Sequence, residues 1–344
     1  MQSTISYLKY GISLGNSLDA IGGENAWGNL PVSRPVIRAI ADAGIKTVRL
    51  PVTWHLHMKE IPDYEIHPQW MSRVKEVVQW ILDEGMNVIL NSHHDQCWQH
   101  PTLESVPEVL PRYTALWRQI AQVFAGQDDR LVFQGLNEPR LEFGENETEG
   151  GTKSVRQAIN VLNHAFVSTV RATGGNNTDR WLIVPTYFAQ YTRVVLEDMA
   201  VPRDPHVAVS VHCYDPHVFT FERTGEESTP FFDDRAGEAL RQLFCTLDEY
   251  AERWQAPFIL TEFGAVKKRM PDGVTTNDGE RAKFVAAMRR EADKRGIPCI
   301  WWDNNYRESR NDSFCIINRD TLQVECPMIV EALTRESYNN SVFG

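Results

Sequence analysis

The chain has 344 residues, 42% of them hydrophobic, with a formal net charge of −11. Such a length holds one large domain or two ordinary ones. The acidic balance excludes the basic face that nucleic-acid binding needs, and no apolar run approaches the ~20 residues of a membrane helix. The six cysteines are scattered, without a CxxC pair, and form neither a disulfide framework nor a zinc site. The opening Met1-Gln2-Ser3-Thr4 has neither the basic end nor the apolar run of a leader.

Hydrophobic periodicity gives a regular alternation of short β-branched or apolar runs with helical stretches. Strands are expected at 10–14, 47–50, 87–91, 131–136, 181–184, 207–211, 258–260 and 299–302. Helices are expected at 34–43, 68–84, 107–125, 153–173, 192–198, 235–254, 278–295 and 327–335. Ser33 before Arg34-Pro35 and the early Pro107 are helix-start signals. Gly44, Gly85, Gly174 and Gly296 sit where helices stop. An unbroken series of eight βα units demands parallel strands, and eight of them close into a (β/α)8 TIM barrel. The polar stretch 144–151 has a linker's composition, but it falls between strand 4 and helix 4 and reads as a flexible rim loop. The loop after strand 8, 303–326, is expected to carry a small hairpin around Phe314 to Val324. A single domain spanning 1–344 is expected, and with it a monomer.

In such a barrel the strands' carboxyl ends converge on one site. Strand 4 ends in Asn137-Glu138-Pro139, where the proline is expected to stop the strand. Strand 7 ends in Thr261-Glu262, and the two strands face each other across the barrel. Glu138 and Glu262 therefore form a candidate pair of carboxylates in one cleft. Around them the remaining strand ends bring Asn16, Arg49, His93, His94, His212, Tyr214 and Trp302, with Trp27 and Trp54 in nearby loops. Two carboxylates among tryptophans and amides are the equipment of glycoside hydrolysis, one group protonating the leaving oxygen and the other attacking or activating water. Arg49 and Tyr214 are expected beside Glu262, which suits a nucleophile. Glu138, with no cation in view, suits the acid.

Blander readings stand beside each residue. A lone glutamate at a strand end is ordinarily a salt-bridge or capping residue, and Arg49 alone reads as a structural ion pair. His93-His94-Asp95 admits a metal cluster, yet barrel metallohydrolases usually carry His-x-His on strand 1, which here ends Leu14-Gly15-Asn16. His55 and His57 form a His-x-His in the strand 2 loop, where surface histidines are the ordinary case. Trp27, Trp54 and Trp98 are equally readable as core, and Trp70, Trp80 and Trp117 lie within helices as packing. The joint occurrence at seven strand ends carries the functional reading.

These motifs resemble glycoside hydrolase family 5, the cellulases and related β-glycanases, through Asn137-Glu138-Pro139, His212-Cys213-Tyr214 and Glu262-Phe263-Gly264. Leu14-Gly15-Asn16-Ser17-Leu18-Asp19-Ala20, Ala26-Trp27-Gly28-Asn29, Val48-Arg49-Leu50-Pro51-Val52-Thr53-Trp54, Leu90-Asn91-Ser92-His93-His94-Asp95 and Trp301-Trp302-Asp303-Asn304 narrow the likeness to subfamily 4, the bacterial endoglucanases and xyloglucanases. The resemblance implies a retaining double displacement, with Glu138 as acid/base and Glu262 as nucleophile held by Arg49 and Tyr214. It implies that Asn137 and His93 bind sugar hydroxyls, that His212 supports Glu138, and that Trp302 is a sugar platform. Asn16, His94, Trp27 and Trp54 are implied as further substrate contacts. No cofactor or metal is implied. The partner is a β-glucan such as xyloglucan, mixed-linkage glucan or substituted cellulose. Secretion is expected, because polymers do not enter cells. Three departures stand out: Pro216-His217 lacks an aromatic after the proline, Gln134 replaces a common Glu, and Thr261 replaces the usual Gly before the nucleophile. A β-mannanase of the same mechanism, a non-catalytic carbohydrate-binding barrel and a metal-dependent hydrolase are the alternative readings.

Overall fold

Eight parallel strands close into a barrel in strict chain order: β1 (Tyr10–Leu14), β2 (Thr47–Leu50), β3 (Asn87–Asn91), β4 (Leu131–Gln134), β5 (Leu182–Pro185), β6 (Val207–Cys213), β7 (Phe258–Phe263) and β8 (Cys299–Asp303). The computed structural model describes residues 4–95, 97–221, 228–307 and 312–336. Helices α1 (Arg34–Asp42), α2 (Pro68–Asp83), α3 (Val106–Val123), α4 (Lys153–Ala172), α5 (Arg193–Glu197), α6 (Asp234–Trp254), α7 (Asp278–Arg295) and α8 (Pro327–Thr334) alternate with the strands. Closure is made by β1 against β8, paired from Tyr10↔Cys299 to Leu14↔Asp303. The hairpin after β8 is present as β9 (Ile317–Asn318) and β10 (Gln323–Val324), while residues 308–311 of that loop lie outside the described residues.

Side chains alternate across each strand, so one set faces the helices and the other the barrel interior. Val48, Leu50, Val88, Leu90, Phe133, Val209, Leu260 and Trp301 join the outer core that packs on the helices. Inside, Ile89, Val132, Ile183, Ala208, Ile259 and Ile300 form an apolar layer, plugged from below by Ile5 and Leu8 of a 3-10 turn. Two residues further along the same strands the interior changes character. Ser13, Arg49, Asn91, Gln134, Ser210 and Thr261 are wholly buried and polar. The strands therefore set a polar layer on an apolar plug, and this layer carries the site.

Five strand ends differ from their sequence expectation, those of β5 and β8 by a single residue. β4 stops at Gln134 rather than at Leu136, because its pairing with β5 is limited to Phe133↔Leu182 and Gln134↔Ile183. The proline follows a strand that has already ended. β6 and β7 run further than expected, with a register shift between Val211 and His212 and an extra residue on β7, so that His212 pairs with Glu262. A bulge of this kind re-aims a side chain, and here it turns Glu262 inward alongside Thr261.

The loop 144–151 is tethered rather than loose. Glu147 accepts from Arg140 Nε at 2.8 Å and from the Phe143 backbone, and its carbonyl accepts from Tyr187 Oη. Trp70 and Trp117 pack in the core as expected, and Trp80 lies against it beneath the guanidinium of Arg73. Phe133, fully buried between Trp117 and Phe124 with Arg180 over its face, anchors β4 to the helices. Phe133→Ala is expected to lower unfolding free energy by about 3–5 kcal/mol in urea titration; a loss below ~1 kcal/mol would contradict this packing.

Candidate active site

Arg49 stands at the centre of the polar layer. From full burial on β2 it donates through Nη1 to Glu262 Oε1 at 2.6 Å, through Nη2 to Asn137 Oδ1 at 2.6 Å and through Nε to Gln134 Oε1 at 2.8 Å. The second Glu262 oxygen accepts from Tyr214 Oη at 2.9 Å. Burial first, then the neighbouring Glu262 and Glu138 carboxylates, push the Tyr214 phenol well above its ordinary value, so it remains a donor. Both oxygens of Glu262 are thus engaged as acceptors.

Glu138 lies beyond β4 on a segment fixed by its backbone: Gly135 donates to Ile183, and Trp117 donates to the Gly135 carbonyl. Its Oε1 is 2.7 Å from His212 Nδ1, and Arg140 Nη1 is 3.5 Å from its Oε2. The sequence expectation of a carboxylate without a cation is therefore wrong, because the chain turns Arg140 back over the residue two places before it. Burial raises the Glu138 pKa, whereas a protonated His212 beside it, through its hydrogen bond and charge, with Arg140 and His94, would lower it by more, to below the ordinary carboxylate value. One oxygen of Glu138 and one of Glu262 lie within 4.8 Å of each other, with His212 touching both.

One side of the cleft is built from rings. Trp302 stacks parallel to His93, with centroids 5.6 Å apart and an interplanar angle of 3°. A Cβ on Gly15 would lie 2.5 Å from the Trp302 ring, so only glycine leaves the indole its place. His94 packs against His93, and Trp27 meets the edge of His94 at 5.3 Å. Asn91 Oδ1 accepts from the Val52 backbone, which directs its Nδ2 to His93 Nδ1 at 3.1 Å. Burial, and then His94, Arg49 and His212, hold the His93 pKa well below the usual imidazole range. His93 is therefore neutral, accepts at Nδ1 and carries its proton on Nε2 as a donor. Asn137, its oxygen held by Arg49, likewise has an amide nitrogen with no acceptor among the described residues.

Several sequence expectations change. Trp54 is wholly buried, with its indole N–H on the Asn91 carbonyl, and takes no part in the cleft; the turn after β2 folds it inward. Asn16 is nearly buried at a left-handed turn closed by Asp19, with its carbonyl held by Asn29. Asp95 is a structural cap rather than a metal ligand, accepting from the Trp54 and His55 backbones and from Ser92. His55 and His57 are partly buried rather than surface residues: His55 pairs with Asp95, and His57 stacks on Trp70. A second cluster, Asp19 with His93 and His94, brings donor atoms within 4.8 Å. Its Asp19 oxygens already hold two backbone N–H groups, and the Nε2 of His93 carries a proton. That set is arranged for hydroxyl groups rather than for a cation. Gln134, Thr261, Arg140 and Asn91 belong to the site without having been singled out as site residues. The first two were visible as departures from the family pattern, and Arg140 adjoins the Asn137-Glu138-Pro139 motif.

With this geometry in place, similarity to known proteins can be read. Residues 12–308 match the cellulase model of glycosyl hydrolase family 5. The chain belongs to that family. It is 38% identical to an endoglucanase A from Ruminococcus albus, over 98% of this chain and 92% of that protein. An endoglucanase A from Clostridium longisporum is 36% identical, and the chain spans 64% of its length. Among solved structures, a GH5-4 broad-specificity endoglucanase from Clostridium acetobutylicum superposes with a TM-score of 0.90 at 34% identity, covering 95% of this chain and 97% of that one. A GH5 xyloglucan-specific endo-β-1,4-glucanase from a metagenomic library, solved in complex with cellotriose, gives 0.89 at 33% identity, covering 95% and 96%.

The pair His55–Asp95 pins the β2 and β3 loops that frame this site. Its hydrogen bond to Asp95 is the chief cause that pushes His55 up from 6.5 to about 9. A raised folded-state pKa gives stability that is fully present below the unfolded value and is lost as pH rises through the folded one. Wild-type protein is therefore expected to exceed His55→Gln in stability by about 1–3 kcal/mol near pH 6, at 1.36 kcal/mol per unit. That margin should shrink as pH rises from about 6.5 and be largely gone by about pH 9. A margin that does not change with pH in denaturant titrations would refute the pairing.

Proposed function

We propose that the protein is a retaining endo-β-1,4-glucanase that cleaves β-glucans by double displacement. The observation that carries this reading is the Glu138–Glu262 pair, with oxygens within 4.8 Å, one carboxylate held by Arg49 and Tyr214 and the other by His212. Retaining enzymes keep their carboxyl groups about 5–5.5 Å apart, whereas inverting ones leave about 6.5–9.5 Å for a water.

Glu262 attacks the anomeric carbon while Glu138 protonates the departing oxygen. Glu138, once ionised, then activates water to release the glycosyl-enzyme. Asn137 offers its amide to the 2-hydroxyl of the reacting sugar, and His93 offers Nε2–H to a neighbouring hydroxyl; such contacts strengthen in the transition state. Trp302 is the platform at the reacting subsite. Rings on both sides of the carboxylates support internal cleavage of a chain. Trp302, His93, His94 and Trp27 come from the β8–β1–β3 side. Phe188, Tyr191 and His217 line a cavity of about 320 Å³ beside Glu138 on the β5–β6 side. Phe188 and Tyr191 supply there the aromatic surface that Pro216-His217 lacks. Mixed-linkage glucan, substituted cellulose and xyloglucan are the proposed substrates, and the cello-oligosaccharide bound in a related structure supports a glucan backbone. A monomer acting outside the cell suits polymers of this size.

Glu262→Ala and Glu138→Ala should each cut hydrolysis of barley β-glucan by at least ~10²-fold without unfolding the protein. Azide should rescue Glu138→Ala on an activated aryl cellobioside, giving the β-glycosyl azide, and should not rescue Glu262→Ala in that way. Either variant turning over at near-normal rates, or an α-configured initial product from wild type by proton NMR, would overturn the assignment.

A further inference from the structure

The polarity of the buried layer can be followed atom by atom. A guanidinium and a side-chain amide nitrogen donate and do not accept. Arg49 Nε donates to Gln134 Oε1 at 2.8 Å, and Asn91 Nδ2 reaches the same oxygen at 3.5 Å. These contacts fix which way the Gln134 amide points. Its nitrogen then donates to Ser210 Oγ at 3.3 Å and to Thr261 Oγ1 at 3.4 Å. Thr261 Oγ1 has one further partner among the described residues, His212 Nε2 at 3.1 Å. The hydroxyl proton is therefore directed to that nitrogen. Nε2 accepts, and the ring proton sits on Nδ1, 2.7 Å from Glu138 Oε1. A doubly protonated His212 would set an N–H against a hydroxyl whose own proton has no other acceptor among the described residues.

Position 261 faces inward by the regular alternation from Ile259, and the β7 bulge places Glu262 on the same side. Gln134 and Thr261, the two sequence departures in this layer, are hydrogen-bonded to each other. A carboxylate at 134 would accept the threonine proton and reverse the direction of the chain. The charged and titratable groups around His212 are Glu138, Glu262 at 3.5 Å and His93, with Arg49 and Tyr214 on Glu262. Burial of Glu138 favours its protonated form, and the hydrogen bond and charge of His212 are the largest influences against it. The protonation state of His212 thus decides where the proton of the pair resides.

We propose that Gln134 and Thr261 are positioning residues that keep His212 neutral and protonated on Nδ1 alone, so that the second proton of the pair rests on Glu138 rather than on His212 Nε2. The kinetic consequence rests on the glycosidase reading above; the tautomer does not.

Two measurements test it. In protein labelled with 15N-histidine, wild type should show His212 as a neutral ring with unlike nitrogens, the protonated one being Nδ1. Thr261→Val, which removes only the hydroxyl, and Gln134→Glu, which reverses the donor direction, should each move His212 toward the imidazolium, whose nitrogens are alike. Thr261→Ser should keep the wild-type signal. On mixed-linkage β-glucan, whose leaving group needs an acid, Thr261→Val should lose at least about tenfold in kcat/KM. On 2,4-dinitrophenyl cellobioside, which needs none, it should stay within about twofold. The alkaline limb of its β-glucan profile should fall to lower pH, and Thr261→Ser should restore both rate and limb. Unchanged His212 signals in both variants, or equal losses on the two substrates, would overturn the proposal. A wild-type protein inactive on both substrates would instead refute the glycosidase reading, while the NMR result would still decide the tautomer.

Discussion

One guanidinium, buried at the centre of a barrel, sets the terms for everything above it. Arg49 has no exposed surface and four acceptors, Glu262, Asn137, Gln134 and, at 3.5 Å, Ser13, supplied by strands and loops far apart in sequence. A buried ion pair is a poor source of stability, because desolvation consumes much of the attraction, although leaving one charge unpaired costs about 3–5 kcal/mol. Its value lies in geometry. A planar fork has a fixed set of donor directions, so the Glu262 carboxylate, the Asn137 amide beside Glu138 and the Gln134 support of the His212 network are all oriented by one side chain. The apolar storey of Ile89, Val132, Ile183, Ile259 and Ile300 beneath it provides a rigid floor.

That arrangement also explains why two strands depart from ideal form at the site. A regular β7 facing Thr261 inward would face Glu262 outward, into the helices, where a carboxylate has no partner. The bulge lets both residues face the interior, and the same shift brings His212 opposite Glu262. On the other side β4 stops early, and its chain leaves the sheet with enough freedom to set Glu138 against His212 while Asn137 reaches back to Arg49. One carboxylate is fixed by the sheet and the other by a short loop over it. Their closeness is a consequence of both irregularities together.

Most of the barrel was legible in the sequence, because eight amphipathic alternations leave little freedom of topology, and the carboxylates could be paired from strand order alone. What could not be read was direction. Trp54 lies just past the end of β2 and Trp302 near the end of β8, yet one turns into the core to donate to the Asn91 carbonyl while the other rests against Gly15 at the cleft. The difference lies in loop paths that no periodicity encodes. Arg140 was hidden for the same reason: it lies past the end of β4 and past Pro139, where no periodicity says that its side chain turns back to Glu138. Gln134 and Thr261 were visible as departures, but their meaning depends on a contact across 127 positions.

The charges around the cleft bear on what kind of polymer fits. Arg140 is shared among Glu138, Glu142 and Glu147, and Arg307 is paired with Asp320 at 2.9 Å. Binding a polyuronide requires cations that exchange a weak partner for the substrate's carboxylates, and these arginines are already committed to carboxylates of their own chain. What faces the substrate is instead a series of rings, neutral imidazole and amide donors. Rings of this kind stack on the apolar faces of pyranoses, and neutral donors read hydroxyl groups without a charge to satisfy. The cleft is therefore matched to an uncharged glycan, whereas the acidic surface implied by a net charge of −11 repels an anionic one. Chemistry is fixed in the buried layer and polymer choice in the rim loops, so enzymes sharing the first can differ in the second.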